Sequence, residues 1–405
     1  MMKRLSSSIY SILLLIGFLG VIFIPFSFRN LNLQEEITRF IFEDSLLFLA
    51  SLFEGISITN PAISSDSTSM YLLVLILLFI AIIFSLLLPL FSFWKKHKNK
   101  ILTIIQLILV YYLALIMLKY GFDKVFKAQF YLPEPNLLFT PLGKLDKDIL
   151  YWSTMGSSYS YNIFMGLMEV IPALLLLFKR MRILGLFILS GVLINVVFVN
   201  FSFDISVKLF SSFLLFINLL LLAPSIKKII QFFVLNKSTS LPYLTGQKLI
   251  ASKTIRFSIK TIAITFIFLE TLLPYIQSGN FNDDTVPRNP LHGAYEISQT
   301  ESEGLPENFN IKRFFIHRQN YFIFQYEDDS MEDFALEIKQ NELILTDYEG
   351  EIIRLEYKYS EDSKSLEIKS DVFGWTIYAK ELNWRELPLM QPLFHWNVDG
   401  INEKL

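Results

Sequence analysis

The sequence predicts an α-helical membrane bundle of about seven transmembrane helices, with the N-terminus inside, followed by a C-terminal antiparallel β barrel or sandwich. Three observations predict it. The 405 residues are 53% hydrophobic and only 18% charged, with a mean hydropathy of +0.44, a balance that belongs to a multispanning membrane protein. Apolar runs of spanning length recur, separated by short basic clusters. From about Phe281 the apolar period shortens to strict alternation, and acids outnumber bases by about two to one.

The first run, "MMKRLSSSIYSILLLIGFLGVIFIPF", has a basic head and no small-residue cleavage site after it, so it reads as a retained anchor. Further runs cover Met70 to Trp94, Ile101 to Tyr120, Tyr161 to Phe178, Ile183 to Phe203, Val207 to Ala223 and Thr261 to Ile276. Lys3 and Arg4, the "KKHKNK" stretch (Lys95 to Lys100), "KRMR" (Lys179 to Arg182) and the lysines from Lys227 to Lys253 with Arg256 all fall on one side. Cytoplasmic loops accumulate such residues, so that side is inside and seven spans leave the acidic C-terminal region outside.

Two outer connections are longer than a turn. Leu31 to Gly55 has apolar positions at helical spacing with acids between them, the pattern of a helix lying along the membrane surface. Phe126 to Tyr159 contains "YLPEPNLLFTPLGK", whose prolines interrupt helices, and is expected as a loop near the outer mouth of the bundle. In the C-terminal region, segments near "GAYEIS", "KRFFIHR", "YFIFQY", "FALEIKQ", "ELILTD", "IIRLEYKY", "SLEIKS" and "WTIYAKEL" read as about eight short strands, divided by Asp328, Asp347, Gly350 and Asp362. The domains expected are therefore residues 1–100, two spans with the amphipathic segment; 101–224, a four-helix core; 225–276, a cytoplasmic connection and the seventh span; and 277–405, the extracytoplasmic β domain.

The absence of cysteine excludes disulfides, thiolate nucleophiles and Cys metal sites, and all four histidines lie outside the apolar runs, which argues against haem ligation in the membrane. No GxSxG, HExxH or Gly-rich phosphate loop occurs, so no catalytic residue and no metal site is assigned. The charge balance does not fit a nucleic-acid partner.

Polar residues inside apolar runs carry the remaining signal. A charge facing lipid costs about 3 kcal/mol or more, so Glu169, near the centre of the fourth span, is expected to face the bundle, either as a functional group or bonded to Asn195 or a hydroxyl. Lys119 with Asp123, and Asp204 with Lys208, are each four residues apart on a helix face. Together with Lys124, Glu169, Asn195 and Asn200 they form the candidate intramembrane cluster, the other reading of the two pairs being outer anchors that snorkel to the surface. Glu270 is a secondary candidate in the seventh span. His292, His395 and Trp396, beside Gly293, are secondary candidates for a ligand mouth or for aromatic plugs at the end of a barrel.

Residues from about Leu109 to Pro224 resemble the DoxX-like family of four-helix membrane proteins, through "YYLALIMLKYGFDKVF" and "GLMEVIPALLLLFKRMRILGLFILSGVLINVVFVNF". In that resemblance Lys124 is the lysine of the first-span motif and Glu169 the second-span acid. Some members of the family are membrane subunits of oxidoreductases, including a thiosulfate-oxidising, quinone-reducing complex. The two N-terminal spans, the seventh span and the β domain depart from the family pattern. Two functions are thus expected: a non-enzymatic, DoxX-like protein of the bacterial inner (cytoplasmic) membrane that binds a ligand or an envelope partner, or assists assembly; and, as the alternative, the membrane subunit of a quinone-linked oxidoreductase, with quinone as cofactor. The lipid bilayer is the expected partner in both.

Overall fold

The computed structural model describes residues 2–26, 32–56, 58–244, 252–302, 310–370, 374–391 and 396, with side chains from Ser8 onward. They form two compact units, one of Met1–Gln129 with Asn162–Phe281 and one of Phe130–Tyr161 with Asn282–Leu405. The helices are α1 (Met2–Phe23), α2 (Leu33–Ser51), α3 (Thr68–Leu87), α4 (Ser92–Val125), α5 (Pro135–Leu138), α6 (Lys147–Gly156), α7 (Tyr159–Leu177), α8 (Arg182–Ser202), α9 (Lys208–Leu222), α10 (Ile226–Phe233) and α11 (Lys253–Ser278).

In the first unit, six helical segments among the described residues are long and apolar enough to cross a membrane: Thr68–Leu90, Ser92–Val125, Tyr159–Leu177, Arg182–Ser202, Lys208–Phe233 and Lys253–Thr285. The expected seventh is α1, whose described apolar stretch, Ser8–Phe23, is shorter than these. The core gathers α1, α3, α4, α8 and α9 around Leu14, Leu73, Leu109, Ile116, Leu189 and Ile217. Gly20 is required where α1 meets α9, because a Cβ there would lie 2.4 Å from the Phe213 ring.

One boundary differs from expectation. The "KKHKNK" stretch is not a linker but the opening turns of α4. Pro89 sits in a short 3-10 turn that closes α3, and Phe91 is extended; from Ser92 onward nothing interrupts the helix for 34 residues. The amphipathic segment is α2, which buries Thr38, Phe42, Leu46 and Ala50 at four-residue spacing and exposes Ile37, Phe40, Ile41 and Phe48 on other faces. The Gln34 side chain at its start donates to the free carbonyls of Val21, Ile22 and Ile24 and accepts from Phe26 N, satisfying groups left over at the end of α1.

The second unit is built on eight strands: β1 (Gly293–Ser302), β2 (Ile311–Ile316), β3 (Tyr321–Tyr326), β4 (Met331–Ile338), β5 (Glu342–Thr346), β6 (Ile352–Ser360), β7 (Ser365–Ser370) and β8 (Trp375–Glu381). Each pairs antiparallel with the next, and β1 also pairs with β8, closing a barrel. Tight turns at Asn320, Asp329 and Gly350 take positive φ, which Asn, Asp and Gly tolerate best. Between the two alternatives of barrel and sandwich, the barrel is the one formed.

The barrel interior is filled by stacked rings. Tyr295, Phe314 and Phe322 follow one another at 5.0 Å centroid spacing, with Phe324 and Phe334 continuing the series and Leu343, Leu355, Leu366 and Ile377 completing the core. Strand β2 is buried on both faces at its end because Ala294, Phe315 and Ile323 are covered from outside by Leu138, Phe139, Trp384 and Leu387. Leu138 and Phe139 come from residues 130–161, expected as an outer loop within the 101–224 segment and found to pack with the barrel, and Trp384 and Leu387 follow β8. Gln325 fixes the cover by donating to Phe139 O, and Phe139 stacks on Phe315 at 6.0 Å.

Candidate functional site

Helices α4 and α7 cross in backbone contact. A Cβ on Gly121 would lie 3.0 Å from Gly166 O, and one on Gly166 would lie 2.7 Å from Gly121 O, so only glycine allows the approach. One turn along each helix sit Lys124 and Glu169, both buried, with Nζ 2.9 Å from Oε2. The lysine chain leans back towards its own N-terminal turn, which brings Nζ within 3.5 Å of Tyr120 O. The family resemblance had put these two residues in one motif set; the structure makes them an ion pair. Glu169 bonds neither Asn195 nor a hydroxyl in its place, because α8 buries Val192, Leu193 and Asn200 and leaves Asn195 exposed.

Of the other candidates, Asp123 lies within electrostatic reach of Lys119, Lys124 and Glu169, whereas Asp204 and Lys208 pair with each other. Asp123 accepts a hydrogen bond from the Tyr275 hydroxyl of α11, and Lys119 lies 5.7 Å over the Phe26 ring. Lys208 meets Asp204 at 2.7 Å and Asp66 at 3.6 Å, but Asp204 is 82% exposed. Asp66, which the sequence reading passed over, accepts from the backbone N–H of Lys208 and Leu209 and so caps α9. Glu270 is buried on α11, Trp396 is 93% exposed, and His395 lies outside the described residues.

His292, a secondary candidate in the sequence, belongs to a denser group in the barrel unit. Glu134 lies between Pro133 and Pro135, and the latter holds it extended with ψ of 156°. Its Oε2 is 2.8 Å from His292 Nε2 and accepts from Arg318 N at 3.2 Å, while the His317 ring lies 3.9 Å away. Burial alone would push the Glu134 carboxyl up, but His292, His317 and the Arg318 N–H together hold it below its ordinary range. Burial pushes His317 down, towards the neutral form.

Beside this pair, Asp283 Oδ2 accepts from Arg288 Nη2 at 2.9 Å and also from Arg318 Nη2. Asp284 Oδ1 accepts from Leu132 N, and the Arg318 guanidinium lies 4.1 Å over the Tyr131 ring. These groups border a cleft of about 290 Å³ lined by Glu134, Arg288, His292, Arg318, Trp384 and Arg385, among others. Two nitrogens of its wall, His292 Nδ1 and Trp384 Nε1, are buried and have no hydrogen-bond partner, although both side chains are more than nine-tenths buried. A larger groove, about 430 Å³ over β6 to β8, is lined by serines, lysines and Tyr378 and contains no such buried, unpartnered atom. Among the described residues no group of three His, Cys, Asp or Glu is placed to hold a metal ion.

Apart from His292, the sequence reading missed this group. The signals were present in "LPEPN", "NDDTVPR" and "IHRQN", where charged residues stand beside prolines and rings. Each is individually ordinary, and their juxtaposition depends on contacts across more than 150 residues.

One curated relative, the "Uncharacterized protein YwoB" of Bacillus subtilis (strain 168), is 34% identical over 111 residues, which are 27% of this chain and 70% of the relative. The chain belongs to the family of YwoB. No family model and no solved structure matches it. Most of this YwoB-family chain thus lies outside the matched 111 residues.

Proposed function

We propose that this is a multi-pass protein of the bacterial cytoplasmic membrane, DoxX-like in its helical core, whose barrel unit lies outside the cytoplasm and binds a ligand or envelope partner without catalysing a reaction on it. The clustering of Lys95 to Lys100, Lys179 to Arg182 and Lys227 with Lys228 between alternate spans supports that orientation. The observation that carries the binding reading is the cleft wall. A buried N–H without an acceptor costs about 1–3 kcal/mol, a cost that an occupant of the cleft would remove. The filled barrel interior leaves the outer cleft, not the barrel lumen, as the place for binding.

The test is mass spectrometry of small molecules retained by the full chain purified from membranes, compared with Trp384→Phe and His292→Gln. A molecule retained by the parent and lost from both variants is the expected result. An identical retained set in all three removes the reading. A reporter fused after Leu405 that is active only in the cytoplasm removes the orientation.

The second reading, a membrane subunit of a quinone-linked oxidoreductase, draws on the buried Lys124–Glu169 pair, since paired ionisable groups within a bundle are suited to moving protons. Copurifying quinone that is lost on Glu169→Gln would favour it.

A further inference from the structure

We propose that the cleft bordered by Arg288, Arg318, Arg385, His292 and Trp384 is a site for a phosphate group, an inference that rests on the binding reading above. The argument begins with donors. Arg288 and Arg318 converge from different elements on one oxygen, Asp283 Oδ2, and each guanidinium has five N–H groups, more than a single carboxylate can occupy. Arg385 adds a third, held 4.2 Å over the Trp384 ring with Glu381 3.8 Å away. The Trp384 indole can only donate, so its buried Nε1 calls for an acceptor.

The acids that face the cleft are already engaged. Glu134 is bonded by His292 and the Arg318 backbone, Asp283 by the two arginines, and Asp284 by Leu132 N. Their presence offsets the guanidinium charges and favours an anion of low charge over a polyanion. A cation would meet three guanidinium groups, and an apolar molecule would leave both orphan nitrogens unsatisfied.

His292 narrows the class further. Its Nε2 lies 2.8 Å from the Glu134 carboxylate, which leaves Nδ1 as the ring nitrogen without a partner. That atom pairs with a hydroxyl, which donates or accepts as the ring requires, whereas Trp384 calls for an acceptor. A phosphate monoanion supplies both, with a P–OH for His292 and further oxygens for Trp384 and the arginines; a carboxylate has two oxygens and no proton. The cleft, of about 290 Å³, has room for a phosphate group. The source of the phosphate, free, on a soluble ester or on a lipid head group, is a separate question that the experiment resolves.

The full chain is labelled with 5-fluorotryptophan in phosphate-free maltoside detergent, and the Trp384 fluorine resonance is identified by its loss in Trp384→Phe. Inorganic phosphate, glycerol 3-phosphate and acetate are titrated at constant ionic strength, and a further sample is placed in nanodiscs containing phosphatidic acid. A saturable shift of the Trp384 signal with phosphate or its ester, about tenfold weaker in Arg385→Gln, is the expected result. A shift seen only in the phosphatidic acid nanodiscs, and weakened by the same substitution, equally supports the phosphate and assigns it to lipid. A shift with acetate and none with any phosphate overturns the ligand class but leaves the binding reading intact. Silence of the Trp384 signal towards every probe, with no retained molecule by mass spectrometry, leaves water as the occupant and overturns both.

Discussion

Lys124 and Glu169 form a 2.9 Å ion pair one turn beyond the contact of Gly121 with Gly166, so the glycine crossing and the buried charges of α4 and α7 are a single structural device. Removing one partner leaves the other charge buried. Glu169→Ala or Lys124→Ala alone is therefore expected to cost about 3–5 kcal/mol, while the double change to Met at both positions recovers most of it. Thermal unfolding in detergent, compared across the three variants, checks this. Equal losses for the single and double variants would show that the pair is not a closed unit.

Gly166→Val should destabilise the same crossing without touching a charge. A Cβ has 2.7 Å to Gly121 O, and the atom it meets is backbone, which cannot rotate away. A loss of about 1–3 kcal/mol or more is expected in the same unfolding assay.

At the start of α9, two acids near Lys208 should differ. Asp66 accepts two backbone N–H groups, so Asp66→Ala is expected to cost about 0.5–2 kcal/mol. Asp204 is an exposed partner of the same lysine, and Asp204→Ala should change stability by less than about 0.5 kcal/mol. The contrast is read from paired melting curves.

The barrel unit is expected to lose stability in acid in two stages. His317 has a folded pKa below its ordinary 6.5, so its contribution is complete above pH 6.5 and is lost as pH falls from there towards the folded value. Glu134 is likewise depressed, from 4.5, so its contribution is present above pH 4.5 and is lost as pH falls through the folded value. Near-UV circular dichroism of the aromatic core during unfolding at stepped pH follows both. His317→Gln should flatten the first stage and also shrink the second, because His317 is one of the groups that hold the Glu134 carboxyl down.

Inside the barrel, Phe314→Ala should cost about 3–5 kcal/mol, since the ring is fully buried and stacks on both Tyr295 and Phe322. Denaturant titration of the full chain, monitored in the near-UV, measures it.

Much of this architecture was legible in the residues because it is periodic. Every one of the eight alternating segments became a strand, from "GAYEIS" in β1 to "WTIYAKEL" in β8, and the apolar runs became helices. Boundaries were less legible where polarity and conformation part company. The "KKHKNK" residues are polar yet helical, since lysine is a good helix former and nothing stops α4 before them. Lys124 and Glu169 could be singled out from the cost of charge in an apolar run, but their pairing could not, because it depends on the rotation of α4 against α7. Asn195 shows the converse, an interior-looking amide that the turn of α8 leaves exposed. The cleft was least legible of all, for Glu134 and His292 are separated by 158 positions and neither lies in a periodic segment's core.

The hydrogen bonds between β1 and β8 have a consequence for recognition. With every strand flanked on both sides the sheet has no edge strand, and the backbone left unpaired on one side is confined to strand ends such as Ile297–Ser302 of β1 beside β2. Peptide capture by strand addition, a common route by which β domains acquire partners, finds no free edge strand here. The binding proposed for the barrel unit rests on side chains and loops, which point substitution changes without disturbing the ladder that holds the domain together.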